Sequence, residues 1–323
     1  MKLSSALAWL GELQTLLTRG ETVVMVTAAH TEGDAPCRAG AKLLVARERL
    51  SGSLGGGAFE SLAVETARQL LKQPGRGTAR SLQRTSVEEA GPGTHVALAF
   101  ERLTVADLAW VSQLAKRLTS GQATVRSVGF GQSEESVLLS DTQARRADCL
   151  LWAAGPLLSE TLLDDAQALL LCGAGAFAAA LMEMLAKLPF RIDWYDTADT
   201  GMPGTPSGSV QRVVGREPAD IVAAMPSGAF YVIATDSEAL DLSLVDAVVR
   251  RGDAAFFGLR GSSWKRHRFE RQLASAGIEP ARLAALRQPL GIPGIFQGSP
   301  AESALAVAAH LMRERESLRS ATR

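Results

Sequence analysis

Several features that would assign the chain to a class at once are missing. No apolar run is long: residues 168–172 and 230–234 are among the longest and are of strand length, against the roughly 20 residues a membrane-spanning helix requires. There is no net charge, 34 basic residues balancing 34 acidic ones. No global field therefore draws the chain toward nucleic acid or an anionic membrane, and any anion site must be local. Cysteine is scarce. Cys37, Cys149 and Cys172 are odd in number, lack C-x-x-C spacing and have no histidine cluster near them, which argues against a disulfide framework or a zinc site. Cys149 and Cys172 read as small core residues. His30, His95, His267 and His310 are scattered, and no Ser/His/Asp triad emerges. The N-terminal residues have helical periodicity and carry Glu12 and Gln14, unlike the apolar core of a signal peptide, so the expected location is cytoplasmic.

What is present is clearest at residues 168–181, ALLLCGAGAFAAAL. An apolar strand runs into Gly173-x-Gly175-x-x-Ala178 and then into an unbroken helix-forming run. In a Rossmann-type unit the two glycines let the backbone turn sharply and approach a ligand, the small third residue lets helix pack on strand, and the helix start faces an anion. Asp196 closes the next apolar segment, FRIDWYD, where a ribose-binding acid would stand. In an alanine-rich chain the same glycines also suit a plain turn.

At 323 residues there is room for two domains. The expectation is an N-terminal α/β domain, residues 1–160, followed by a doubly wound parallel-sheet domain, residues 161–323. In the first, leucines 3, 7, 10, 13 and 17 mark an opening amphipathic helix. Strands are expected at 22–29, 41–46, 79–84, 95–103, 123–130 and 136–139, with helices after the glycine-rich turn 51–57 and over 106–118. Residues 73–80 read as a break, 141–148 as a charged turn, and 155–165 as the connection to the second domain. There, strands at 168–172, 190–195, 209–214, 229–235 and 253–258 alternate with helices at 176–188, 217–225, 238–250 and 262–276. Such alternation calls for a parallel sheet covered on both faces. A last helix spans about 300–317, and residues 200–209, TGMPGTPSGS, read as a loop at the sheet's rim.

In such a sheet ligands sit beyond the carboxyl ends of the strands, which selects Gly173 and Gly175, Asp196, the pair Thr235 and Asp236, and the turn at 261–263. Past that turn, Ser262 as a cap and Lys265, Arg266 and Arg268 in the first turns of a helix suit a phosphate, or equally form a solvated basic face. In the first domain, Gly55, Gly56 and Gly57 at a strand-to-helix junction offer unobstructed backbone N–H groups to an oxyanion, or simply a flexible turn. Glu60 falls in that helix's first turn, where an acid favours the dipole. Cys37 stands in a Gly/Pro-rich loop beside Arg38, a cation expected to lower the thiol's pKa.

Taken together, VVMVTAAHTEGDAPCRAGAKLLV, SGSLGGGAFES, LLLCGAGAF, AFYVIATDSEALDLSLV, AAFFGLRGSSWKRHRFERQLASAGI and QPLGIPGIFQGSPAESALAVAAHLM resemble the XdhC/CoxI family, accessory proteins of xanthine dehydrogenase and related molybdenum hydroxylases. The family often has histidine where Ala176 stands, T-H-D where this chain has Ala234-Thr235-Asp236, and arginine directly after the loop proline, where this chain has Cys37. The resemblance implies a chaperone rather than an enzyme. It would bind molybdenum cofactor, as molybdopterin or its cytosine dinucleotide form, shield it, present it to a cysteine desulfurase and insert it into the apo-dehydrogenase, acting as a homodimer. The residues then expected to bind cofactor are Cys37, Arg38, Gly55, Gly56, Gly57 and Glu60 in the first domain. In the second they are Gly173, Gly175, Ala176, Asp196, Thr235, Asp236, Ser262, Lys265 and Arg266. Cys37 would touch molybdenum or its sulfur, and the cofactor would lie between the first domain's loops and the Rossmann crevice. The same glycine turn also fits an NAD(P)-dependent oxidoreductase or a nucleotide-sensing module.

Overall fold

The computed structural model describes residues 7–73, 79–130, 137–144, 147–152, 157–197, 209–288, 290–292 and 298–321. Two compact units divide the chain, Met1–Asp165 and Ala166–Arg323. Of the expected features, residues 74–78 of the break, the start of the strand at 136, two residues of the charged turn and residues 200–208 of the rim loop lie outside the described residues.

The first unit opens with α1 (Ala8–Thr18), then β1 (Val23–Glu32), β2 (Lys42–Val45), β3 (Leu50–Gly52) and α2 (Gly57–Lys72). β4 (Ala79–Ser86), β5 (His95–Leu103) and α3 (Leu108–Thr119) follow. β1 to β5 form an antiparallel sheet in the order β3-β2-β1-β5-β4. Val23 and Met25 face α1 and α3, while Val24, Val26 and Ala28 face Phe59, Ala63 and Ala67 of α2. Helices on both faces explain why β1 reads as an unbroken apolar run, where a half-exposed antiparallel strand would alternate.

A second antiparallel sheet in this unit comprises β6 (Thr124–Gly129), β7 (Leu138–Asp141), β8 (Asp148–Trp152) and β9 (Leu157–Leu162), ordered β7-β6-β9-β8. Here the structure adds to the sequence reading: β3 falls mostly in the expected turn 51–57 and β9 in the expected connection 155–165, while β8, apart from Asp148, falls on residues for which no element is expected. β9 is an interior strand with Leu158, Glu160 and Leu162 turned inward. Its alternation was obscured because one of the inward residues is a carboxylate.

The second unit runs β10 (Gln167–Cys172), α4 (Ala176–Leu185), β11 (Phe190–Asp196), β12 (Val210–Val214), α5 (Pro218–Ala224), β13 (Phe230–Ile233), α6 (Glu238–Arg251), β14 (Phe256–Leu259), α7 (Ser263–Ser275), α8 (Pro280–Leu283), β15 (Leu286–Arg287) and α9 (Pro300–Ala321). The six strands form one parallel sheet, β12-β11-β10-β13-β14-β15. Leu169, Leu171, Trp194 and Phe230 pack with α4 and α9 on one face. Leu170, Cys172, Tyr231 and Leu259 pack with α5, α6 and α7 on the other. The doubly wound parallel sheet expected from the alternating pattern is therefore present, with α8 and β15 added at its edge. Strand order reverses between β10 and β13, the switch point at which such sheets open a crevice.

Candidate functional site

At the end of β10 the chain turns through Gly173, whose φ of +117° is closed to most side chains. A Cβ there would stand 2.3 Å from the Ala234 carbonyl oxygen, so the turn lies directly against the end of β13. The Gly173 N–H donates to the Tyr195 carbonyl at 2.9 Å, and its carbonyl accepts from Trp194 Nε1 at 2.7 Å. Gly175 is the N-cap of α4 and no side chain caps that helix. Its first amides are thus available to an anion. Ala176 is exposed. The protein's own acid is near: the Asp236 carboxylate oxygens lie 3.5 Å from where a Cβ on Gly175 would stand. Asp196 ends β11, and its Oδ1 accepts from the Thr197 N–H at 2.6 Å and hydroxyl at 3.3 Å.

Beside this turn, the ends of β13 and β14 line a cavity of about 420 Å³ with Thr235, Arg260, Gly261 and Lys265 on its walls. Arg260 stacks on Phe177 of α4 at 4.7 Å. The two cations expected to await a phosphate are already paired. Lys265 Nζ donates to Oδ2 of the fully buried Asp241. Arg266 is directed elsewhere, to Glu270 at 2.6 Å and the Gln288 carbonyl at 3.4 Å. Ser262 caps α7 by accepting from the Lys265 N–H at 3.3 Å. Asp241 escaped the sequence reading because an acid early in a helix passes for a dipole partner. Arg260 escaped because it follows the strand rather than the helix.

In the first unit the loops at 33–40 and 52–57 meet: a Cβ on Gly55, whose φ is +101°, would stand 2.5 Å from the Pro36 carbonyl oxygen. Of the amides expected to be free for an oxyanion, those of Gly55 and Gly56 are in use. Glu60 Oε2 accepts from the Ser53 hydroxyl at 2.7 Å, the Leu54 N–H at 2.6 Å and the Gly56 N–H at 3.1 Å, and the Gly55 N–H donates to Ser53 Oγ at 3.0 Å. Burial alone would raise the Glu60 pKa, but these hydrogen bonds outweigh it and hold the carboxyl below its ordinary range. Gly57 opens α2.

Cys37 packs against the core beside α2, while Arg38 is exposed. The effect expected of Arg38 is reversed. Burial, and after it the Glu60 charge, raises the Cys37 pKa, so the thiol stays protonated at neutral pH. Cys149 is pushed up to about 12 by burial and then by Glu160, and Cys172 is fully buried.

A cluster the sequence did not disclose lies deeper in this unit. Glu160 accepts from Lys42 at 2.5 Å and Arg126 at 2.7 Å, and Arg126 also donates to Glu101, all four residues being buried. Lys42 lies under Trp9 and Arg126 under Trp110, at 4.9 and 4.7 Å. Charged residues on strands look like outward-facing ones until the opposing sheet is placed. Among the described residues no group of three or more His, Cys, Asp or Glu side chains is arranged to hold a metal ion, and no helix is long and apolar enough to cross a membrane.

Comparison with known proteins accords with this architecture. Residues 169–311 match the XdhC Rossmann domain, and residues 16–82 match the XdhC and CoxI family. A crystal structure from Bacillus halodurans, described as a xanthine dehydrogenase, superposes with a TM-score of 0.72 at 18% identity, covering 98% of this chain and 96% of that one; at that identity the likeness concerns the fold. No curated protein matches significantly. With both of its characteristic regions present in order on one polypeptide, the chain belongs to the XdhC and CoxI family.

Proposed function

We propose that the chain is an accessory protein of xanthine dehydrogenase or a related molybdenum hydroxylase. In this reading it binds molybdenum cofactor, shields it, supports its sulfuration by a cysteine desulfurase and delivers it to the apo-enzyme, with no reaction of its own, as a cytoplasmic homodimer. The observation that carries the reading is the pairing of both family regions with a switch-point crevice whose helix start is uncapped.

The residues present fit such a group. A pterin phosphate suits the amides of Gly175 and Ala176 and the Arg260 guanidinium at the cavity wall. Asp196 Oδ2 and the Thr235 hydroxyl suit the polar edge of a pterin or ribose. A metal that arrives on its own pterin dithiolene does not require a protein ligand cluster. Bound, the cofactor supplies the molybdenum centre that the client enzyme uses; the chain's own part is to hold, orient and enclose it. Cys37 belongs to the other unit and is proposed as a contact to molybdenum or its sulfur only as a neutral thiol.

Expression in a molybdate-fed, molybdopterin-producing host, followed by mass spectrometry of the purified protein, tests this. The expected result is pterin stoichiometric with the chain, and recovery of none would refute the proposal. Unchanged retention in Cys37→Ala would remove that residue from it. Titration with NADH separates the oxidoreductase alternative, which requires micromolar binding.

A further inference from the structure

In the second unit one fully buried carboxylate gathers two of the cavity's polar groups. Asp241 Oδ1 accepts from the Thr235 N–H at 3.1 Å and the Thr235 hydroxyl at 2.6 Å, and Oδ2 accepts from Lys265 Nζ. The groups come from three elements: the end of β13, the first turn of α6 and the first turn of α7. The surrounding turn is built to let them meet. Gly261 has φ +154°, and a Cβ there would stand 2.8 Å from Lys265 Cδ, so the lysine stem crosses where any other residue would obstruct it. Gln288 Nε2 holds the same turn through the Gly261 and Ser262 carbonyls, at 2.6 and 2.9 Å.

A buried carboxylate is costly unless its oxygens are satisfied by donors. Asp241 is satisfied by groups that face a cavity, where core packing alone would have called for an apolar residue. We propose that Asp241 is a positioning residue of the crevice: it fixes the Lys265 ammonium and the Thr235 hydroxyl on the cavity wall, so that the remaining N–H groups of Lys265 meet an oxyanion of the ligand beside Arg260. Asp241 itself touches no ligand. This rests on the cofactor-binding reading for the identity of the ligand, but its geometry is tested without it.

The first measurement uses the purified full chain with acetic anhydride as probe, comparing the rate of Lys265 acetylation with that of the exposed Lys187 by mass spectrometry. Lys265 is expected to react at least about tenfold more slowly, and Asp241→Asn to speed it severalfold, toward the rate its remaining burial allows. Equal rates in the unaltered protein overturn the proposal whether or not cofactor binds. The second measures affinity for molybdenum cofactor released from a purified molybdenum hydroxylase, in Asp241→Asn, Lys265→Met and the double variant. Because Asp241 acts through Lys265, each single change is expected to weaken binding about tenfold and the double change hardly more. Additive losses overturn the proposal, since a carboxylate that merely stabilised the fold would act independently of Lys265. Thr235→Val, which removes only the hydroxyl, covers the case in which Asp241→Asn fails to fold: the hydroxyl no longer helps hold Asp241, so faster Lys265 acetylation supports the proposal and an unchanged rate overturns it. A wild-type chain that retains no cofactor refutes the proposed function instead, and the acetylation rates then decide the positioning claim.

Discussion

Two glycine turns between a strand and a helix, at residues 55–57 and 173–175, have come to opposite ends. In the first unit the Gly55–Gly57 loop closes around the protein's own Glu60, whose carboxylate takes the donors a ligand would otherwise use. In the second, the Gly173–Gly175 turn leads into a helix without a side-chain cap. The difference shows that glycine content identifies a place where backbone donors are exposed, not whether they are free. An acid three residues past the last glycine decided the first case; its absence left the second open.

The sharpest way to break the comparison is at Gly173. Gly173→Ala forces a side chain into the Ala234 carbonyl at positive φ and is expected to destabilise the protein by about 3 kcal/mol or more in denaturant unfolding. Gly55→Ala meets Pro36 in the same way, but at an exposed position rather than against the end of a buried strand. A loss of about 1–2 kcal/mol is expected there.

Glu60→Gln follows, with a loss of about 1 kcal/mol and a chemical signature besides. Removing the negative charge that helps raise the Cys37 pKa should lower that pKa and speed thiol alkylation at fixed pH by about threefold. The pH dependence has a definite sign. Because the folded-state pKa of Glu60 is depressed, its contribution is present at neutral pH and is lost as pH falls through and below the ordinary glutamate range. Hydrogen exchange of the Leu54 and Gly56 amides, corrected for intrinsic rates, should show that loss. The smallest effect belongs to Gly175→Ala. Its φ is ordinary and its new Cβ would make only van der Waals contact, so stability should change by less than about 1 kcal/mol.

The sequence disclosed the second unit far better than the first. Its central strands β10, β13 and β14 are apolar almost throughout and helices precede or follow each of them, so the parallel sheet followed from alternation. β8 and β9 did not, because DCLLW is polar only at its first residue and LLSETL carries three polar residues in a row, so neither shows in residue type the alternation that its burial follows. The glycine turns and the loop bearing Cys37 were found, but not their partners. Glu60 reaches back over its own helix start, and Asp241 points from inside a helix toward a neighbouring strand end. Lys42, Glu101, Arg126 and Glu160 oppose one another only once two sheets are stacked. Each of these is a contact between segments that spacing along the chain does not encode.

The hydrogen bond from Trp194 to the Gly173 carbonyl gives the second unit its own gauge. The indole is fully buried, whereas Trp152 and Trp264 are 59% and 62% exposed, and a water-borne quencher such as iodide extinguishes exposed tryptophans first. An indole's emission wavelength follows the polarity around its N–H, and here that N–H is fastened to the glycine turn itself. Whatever occupies or distorts the turn is therefore written into Trp194's share of the light that survives quenching, beside that of the half-buried Trp9 and Trp110.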